Sequence, residues 1–310
     1  MTHTASPVRS GPGQAARPEK GLLAYVLLAY GLSWLWLVPL AVAGFRVQEG
    51  QGWPTHFPAL LGPMVAAVLV AWRTGTLRRL LTGMVRVRVS LRWWAWAISP
   101  LLLLGVALAA DKIAGQQLPA VADFARMSGL SSALGVTGVA ILMLLVNGFG
   151  EETGWRGFAL PALQRRFSPL TAMLVLSLIW AGWHLPMFLV VNNFRDFSAG
   201  TVIGWLLGLT AGSIVLGWLY NRSGSIALVA VWHAGFNMVS ATAAASGIVA
   251  AVVTTVVMVQ AVVLVTAELV ARRRGLPTVL GPRTNSTHAG PASQLRLAGR
   301  HSRLPTGARG

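Results

Sequence analysis

A series of long apolar runs is the feature that most constrains the fold of this chain. A helix of about 20 residues crosses the hydrocarbon core of a bilayer, and only 11% of the residues are charged, against about 25% in soluble domains. The sequence therefore predicts an all-α fold, a polytopic membrane helix bundle of about eight transmembrane helices. The eight apolar runs lie at roughly 21–44, 57–73, 93–110, 132–150, 169–191, 200–220, 224–245 and 247–271.

The positive charges follow the membrane pattern rather than a nucleic-acid pattern. The formal net charge is +17, but the arginines lie between the apolar runs and in the two tails, and no basic patch with interleaved aromatic residues is present. Alternating the connections across a cell membrane puts most arginines on one side, which by the positive-inside rule is cytoplasmic. Both termini are then cytoplasmic, membrane lipid is the expected surrounding, and no nucleic-acid partner is expected. The opposite side keeps only Arg46, Lys112, Arg126 and Arg195.

Composition divides the chain into five segments. Pro, Gly and basic residues without apolar runs predict disordered tails at both ends, and the first apolar run is too long for a usual signal peptide, so we expect an uncleaved span. An arginine-rich stretch within the second segment is expected to lie on the membrane surface as an amphipathic connection. The segments are a tail at 1–20, the first transmembrane helices with the connection at 21–131, a core at 132–245, a last helix at 246–272 and a basic tail at 273–310.

Two adjacent carboxylates, Glu151 and Glu152, follow the fourth apolar run, in a chain with only 8 acidic residues. An ionisable group at membrane depth costs about 2.5–3.5 kcal/mol on insertion scales, so it is kept only beside a partner or a polar cavity. Arg156 is four residues after Glu152, on the same helix face, and is expected to pair with it and hold it ionised. Glu151 is then left free to act as a base.

Two histidines lie within apolar runs, His184 in the fifth and His233 in the seventh. Asn237 follows His233 by four residues, so both side chains project from one helix face. A carboxylate near a histidine is able to take a proton from water, and two hydrogen-bond donors on one face are able to stabilise the oxyanion that follows. The pattern predicts hydrolysis without a covalent intermediate, in a pocket open to the cytoplasmic side.

Other hydrolytic chemistries lack their residues. The chain has no cysteine, which excludes thiol nucleophiles and cysteine-ligated metals. It also has no His-Glu-x-x-His pair for a zincin-type zinc site, no Gly-x-Gly-Asp aspartate pair and no Gly-x-Ser-Gly serine.

Three ordered motifs resemble those of the CAAX-protease and bacteriocin-processing (CPBP) family, which includes the type II CAAX prenyl endopeptidases. The resemblance covers about residues 132–245. The family usually has phenylalanine where this chain has Trp180. Tryptophan keeps an aromatic wall at this position and can change which substrates the pocket admits. The motifs are Glu151-Glu152-x-x-x-Arg156, Trp180-x-x-x-His184 and His233-x-x-x-Asn237.

The resemblance implies an intramembrane endopeptidase that acts on a peptide or protein substrate with an apolar or lipid-modified end. Glu151 and His184 would activate water, and His233 with Asn237 would stabilise the oxyanion. Glu152 and Arg156 are implied as supporting residues of the same catalytic site. Family members have also been described as metal-dependent, and one carboxylate with two histidines is able to bind zinc. We expect a metal-free site, because His233 and Asn237 are better explained as a pair of donors than as metal ligands, and zinc is the alternative.

Three other interpretations stay open from the sequence alone. The first is a purely structural role: a buried Glu-Arg pair can tie two helix turns together, and a histidine in a span is often an interhelical hydrogen-bond partner. A non-catalytic bacteriocin-immunity or partner-binding protein of the same fold is the principal functional alternative. A transporter that uses Glu151, Glu152 and Arg156 as a proton or solute site is the third.

Overall fold

The structure is a computed structural model that describes residues 18–245 and 248–282. The predicted disorder of residues 1–17 and 283–310 lies outside the described residues. Within these ranges the chain is almost entirely helical, and the extended pairing is limited to three isolated β-bridges. The predicted all-α class is confirmed.

Ten principal helices make up the described fold, with short turns of helix between them. Their bounds are α1 Pro18–Val42, α2 Phe57–Arg73, α3 Leu77–Met84, α4 Leu91–Ala97, α5 Ser99–Ile113, α6 Ser132–Leu163, α7 Pro169–Trp183, α8 Ala199–Ser223, α9 Ile226–Ser240 and α10 Ile248–Arg273. The shorter helical pieces are Val121–Ala125, Met187–Val190, Asn192–Arg195 and Ala243–Ala245.

Each of the eight predicted spans coincides with apolar helix, but the helices differ in length. In the described ranges, five helical stretches are long and apolar enough to cross a membrane, or six if α4 and α5, bent by 53° to each other, form one span. One of the five is α7 continued to Val190, and the others are α1, α6, α8 and α10. The remaining two, α2 and α9, are apolar but shorter than a full crossing. The membrane character is supported, and the count of eight crossings stays a prediction.

The fourth predicted span differs most from its expected bounds. The apolar run suggested an end near residue 150, with Glu151 at the membrane face, yet α6 continues through the polar motif to Leu163. Two π-helical stretches, Met143–Phe149 and Trp155–Ala159, flank the α-helical turn Gly150–Gly154 that carries both carboxylates. Wider π turns of this kind recur at functional sites. The carboxylates therefore lie inside the bundle rather than at a helix end.

Glycines on α6 allow α2 and α9 to pack closely on both sides of it. A Cβ atom at Gly148 would lie 2.7 Å from the Ala230 carbonyl oxygen on α9. On the other side, a Cβ at Gly154 would lie 2.7 Å from the Pro63 carbonyl oxygen on α2. These contacts are backbone to backbone, so only hydrogen at the glycine position fits without movement.

Residues 274–282 follow α10 and fold back on the bundle. Glu268 on α10 accepts hydrogen bonds from the Val279 and Leu280 backbone N–H groups at 2.8 and 3.0 Å. The Leu280 carbonyl in turn accepts a hydrogen bond from Asn221 Nδ2 at 2.7 Å. These bonds anchor the segment against α8, and the division of the chain into five segments stays a prediction.

We predict that Gly148→Ala lowers the free energy of unfolding by about 1–3 kcal/mol, because overpacking against a backbone oxygen is not relieved by a side-chain movement. Gly105→Ala in α5 is the matched control, since nothing lies within 4 Å of a Cβ there. Alanine is the better helix former, so this control should be unchanged or more stable by up to about 1 kcal/mol. Thermal unfolding in detergent micelles measures both, and equal effects would contradict close α6–α9 packing.

Candidate active site

Three helices bring the predicted site residues into the interior of the bundle. Glu151, Glu152 and Arg156 lie on α6, and their exposed fractions are 3%, 0% and 0%. His233 lies on α9 and is also buried, and α9 packs directly against the π-helical stretch and the following turn of α6. His184 caps the C-terminal end of α7 and is half-buried.

Glu152 is held by two hydrogen bonds to one of its oxygens. Arg156 Nη1 donates to Glu152 Oε1 at 2.8 Å, from one helical turn away. His233 Nδ1 donates to the same oxygen, also at 2.8 Å, across the α6–α9 interface. The predicted pairing of Glu152 with Arg156 is observed, and His233 is its second partner.

Glu151 is held by a different helix. The indole N–H of Trp180 on α7 donates to Glu151 Oε2 at 2.8 Å. No described hydrogen bond reaches the other oxygen, Oε1. The two adjacent carboxylates therefore differ in environment, because one faces a guanidinium and an imidazole and the other a neutral indole.

Trp180 also contacts the other members of the site. Its backbone carbonyl accepts a hydrogen bond from His184 Nδ1 at 2.7 Å. The Arg156 guanidinium carbon lies 4.5 Å from the centre of its ring, a cation–π contact. The His233 ring packs edge-on against it, with centroids 5.5 Å apart. The sequence predicted Trp180 only as an aromatic wall and missed its N–H, although tryptophan in place of the family's phenylalanine was the signal.

The hydrogen bonds define which nitrogen of each histidine is still free to contact water or substrate. A carbonyl or carboxylate oxygen only accepts, so Nδ1 carries the proton in both His184 and His233. In a neutral ring Nε2 is then an acceptor. Pro186 follows His184 by two residues, and the helix is interrupted there: α7 ends at Trp183, and helix resumes at Met187.

Asn237 lies one turn after His233 on α9 and is half-buried. Its side chain makes none of the hydrogen bonds found within the described part of the chain. The structure thus brings five of the six predicted residues into one network of direct contacts, and it leaves the Asn237 amide beside the network with its hydrogen-bonding groups free.

Further buried polar atoms lie on α1 and α6, and they were not predicted from the sequence. Tyr25 OH, Asn147 Oδ1 and Thr153 Oγ1 are buried and have no hydrogen-bond partner among the described residues. Asn147 stands one turn before Glu151, and Tyr25 packs edge-on to Trp155 at 5.8 Å. Buried polar groups usually take water when protein offers no partner. A polar residue four positions before Glu151 was the available signal.

His56 is a further titratable group near the site. It lies just before α2, outside the apolar helices, and burial lowers its pKa to about 4, with a smaller contribution from the nearby His184 ring. The ring is therefore neutral at physiological pH.

The zinc alternative would need one carboxylate and both histidines of the site. Among the described residues no group of three or more His, Asp or Glu side chains is arranged to hold a metal ion. Glu152 Oε1 accepts hydrogen bonds from Arg156 and His233 and Glu151 Oε2 accepts one from Trp180, whereas Glu152 Oε2 and the Nε2 atoms of the two histidines keep their lone pairs. The metal-free site, with zinc as its alternative, therefore stays a prediction.

Comparison with known proteins identifies the segment that carries the site. The family model described as "Type II CAAX prenyl endopeptidase Rce1-like" matches residues 133–239. Residues 133–239 are therefore Rce1-like. "CAAX prenyl protease 2" of Methanococcus maripaludis is 31% identical over 119 residues, which is 36% of this chain and 43% of that protein. The match thus spans less than half the length of this relative.

The Rce1-like segment contains all six predicted site residues, from Glu151 to Asn237. The resemblance to type II CAAX prenyl endopeptidases that the three motifs predicted is confirmed. The helices outside the segment supply additional walls of the site, because α1 contributes Tyr25 and α2 packs on the turn that carries the carboxylates.

We predict that Glu152→Gln lowers the free energy of unfolding by about 3–5 kcal/mol, because it leaves the Arg156 charge buried without a counterion. The double variant Glu152→Gln with Arg156→Met should recover part of this loss. Glu49→Gln is the control, since Glu49 faces Arg126 at 3.6 Å on a half-exposed surface, where an ion pair is worth about 0–1 kcal/mol. Chemical or thermal unfolding in micelles tests this order of stabilities among the variants. A double variant less stable than Glu152→Gln would contradict the prediction.

Proposed function

We propose that the protein is an intramembrane endopeptidase in which Glu151 activates water for attack on a peptide bond. The observation that carries the proposal is that the two carboxylates have different hydrogen-bond partners. Among the described residues, both carboxylates keep one oxygen without a hydrogen bond, but Glu152 is paired with the Arg156 charge and with His233, whereas Glu151 has a single neutral donor. A carboxylate without a hydrogen-bonded guanidinium is better suited to take a proton as a general base.

The reaction follows from these contacts. Glu151 takes a proton from a water molecule, and the hydroxide oxygen forms a bond to the carbonyl carbon of the substrate. The tetrahedral intermediate then collapses as its C–N bond breaks, and the protonated Glu151 gives its proton to the leaving amine. No covalent bond between enzyme and substrate is needed, and no cofactor takes part.

The histidines and Asn237 have complementary roles in the proposal. His184, with Nδ1–H held by the Trp180 carbonyl, offers Nε2 to orient the water. His233, with Nδ1–H on Glu152, donates from Nε2 when the ring is protonated, and Asn237 donates from its amide. Two donors directed at a developing oxyanion typically contribute several kcal/mol to the barrier. Arg156 and Glu152 position His233.

The proposed substrate has an apolar or lipid-modified end. Aromatic rings border the half-buried face of His184, with the Trp205 and Phe194 centroids 5.3 and 6.0 Å from the imidazole. Phe188 and Phe197 extend this aromatic surface. Such a wall suits an acyl or prenyl chain next to the scissile bond, in line with the printed name of the relative. Processing of a CAAX-type C-terminus is the corresponding substrate class.

We place the protein in the cell membrane with both termini cytoplasmic and the cleaved bond nearer the cytoplasmic face. The support is the arginine asymmetry of the connections and the position of Glu151 along α6. The arginine-rich end at Leu163 lies about 18 Å from Glu151, at 1.5 Å per residue, and the other end at Ser132 lies about 28 Å away.

We predict that Glu151→Gln lowers kcat by about 10²–10⁴-fold, the usual contribution of a general base. The substrate is a peptide with a farnesylated cysteine three residues before its C-terminus, cleaved in detergent micelles. Glu49→Gln makes the same chemical change at a remote half-exposed carboxylate and should keep full activity. Equal turnover by Glu151→Gln and wild type, with unchanged thermal unfolding, would remove Glu151 as the base.

The same assay separates the enzyme from a non-catalytic immunity or binding protein. Turnover of the farnesylated peptide that Glu151→Gln abolishes supports the endopeptidase. Binding of the peptide with no cleavage, by a protein that unfolds normally, supports the partner-binding alternative.

We predict that a chelator leaves the activity intact, because in the proposed reaction Glu151 alone takes the proton from the attacking water. The purified protein is dialysed against a millimolar chelator and assayed on the farnesylated peptide. Loss of activity that added zinc restores would overturn the metal-free chemistry.

A further inference from the structure

A cavity of about 650 Å³ lies at the arginine-rich end of the bundle, away from the site described above. The helix α3 forms one wall, and the ends of α6 and α8 form the others. Its volume falls within the range of about 300–1,000 Å³ that small-molecule sites occupy. Its lining includes Arg78, Arg79, Arg86, Gln164, Tyr220 and Asn221.

The lining is cationic and carries no compensating acid. Arg78, Arg79 and Arg86 all line the cavity, and none of its lining residues is Asp or Glu. The ion pairs within the described ranges involve none of these three arginines. Three guanidinium groups around one cavity favour an anion with several acceptor oxygens.

Gln164 adds a buried donor without a partner to the lining residues. It lines the cavity, and its Nε2 atom is buried with no hydrogen-bond partner among the described residues. The neighbouring Asn221 amide is engaged, because its Nδ2 donates to the Leu280 carbonyl. A buried amide left unsatisfied costs about 1–3 kcal/mol, and a rotation of the Gln164 side chain toward an anion in the cavity would remove that cost.

The position excludes the carboxylate of a substrate held at Glu151. Gln164 lies about 20 Å further along α6, at 1.5 Å per residue. The three residues that follow a CAAX cysteine span at most about 11 Å when fully extended. An anion bound in the cavity would therefore come from another molecule.

The surroundings favour a lipid. Leu81 on α3 and Val85 and Val87 directly after it are exposed, so this arginine-rich stretch also presents apolar side chains outward. A mixed basic and apolar surface is typical of a helix at the membrane interface. Basic pockets between helices on the cytoplasmic side are suited to anionic headgroups.

We propose that this cavity binds the phosphate of an anionic phospholipid, with Arg79, Arg86 and Gln164 as donors. The proposal does not depend on the peptidase activity, since no residue of the catalytic network lines the cavity. Lipid bound here would hold α3 against the ends of α6 and α8.

The test is a titration of the purified full chain in neutral detergent micelles with phosphatidylglycerol, phosphatidylcholine or inorganic phosphate, followed by the thermal unfolding midpoint. We expect phosphatidylglycerol to raise the midpoint at concentrations at least 10-fold below those needed for phosphatidylcholine, and inorganic phosphate to have no effect. Equal potency of the two lipids overturns the proposal. An equal shift by inorganic phosphate overturns the lipid as the source of the anion.

Variants then locate the effect. Arg79→Gln with Arg86→Gln should weaken the apparent affinity for phosphatidylglycerol by 10-fold or more. Arg73→Gln with Arg88→Gln removes the same charge from exposed positions outside the lining. This control should change the apparent affinity for phosphatidylglycerol less than 2-fold. Gln164→Met keeps every arginine and should weaken binding 3-fold or more. An equal loss in both double variants, or full affinity in Gln164→Met, contradicts the assignment.

Discussion

Burying Arg156 inside an apolar helix bundle requires a carboxylate within hydrogen-bond distance, and Glu152 supplies it from one turn away. An isolated guanidinium at this depth would cost several kcal/mol. The same carboxylate oxygen accepts the N–H of His233, so one charge cluster joins α6 to α9. Most other features of the site follow from this cluster, because it fixes the tautomer of His233 and pairs Glu152 with the Arg156 charge through one carboxylate oxygen. Glu151, directly before it in sequence, is turned to a different neighbour.

That neighbour is Trp180, and its contacts explain how two adjacent carboxylates acquire different roles. The indole N–H holds one oxygen of Glu151, the backbone carbonyl fixes His184, and the ring face covers the Arg156 charge. The family to which this segment is similar usually has phenylalanine at the same place, which keeps the ring contacts and lacks the N–H donor. In this chain the donor restrains the carboxylate proposed as the base. Restraint of that kind lowers the cost of reaching the reactive geometry.

Much of this arrangement follows from the sequence, and the rest depends on tertiary packing. The eight apolar segments, the all-α class and the Glu152–Arg156 pair are readable because hydropathy and four-residue spacing are local properties. The continuation of α6 past Glu151 was not readable, since polar residues after an apolar run usually mark a helix end. Only the close approach of α2 and α9 to Gly154 and Gly148 shows that the motif is interior. Trp180 as a donor and the ordered segment after Arg273, held by Glu268, likewise depend on neighbours distant in sequence.

The different roles of Glu151 and Glu152 are most directly tested by the side-chain N–H signal of His233, because only Glu152 is expected to accept this hydrogen bond. In protein labelled with ¹⁵N-histidine and studied by NMR in micelles, an Nδ1–H held by a carboxylate gives a strongly downfield proton resonance, which His233→Gln would assign. The account predicts that this resonance moves upfield or disappears in Glu152→Gln and stays in place in Glu151→Gln. The reverse result, with the signal lost in Glu151→Gln and kept in Glu152→Gln, would contradict it.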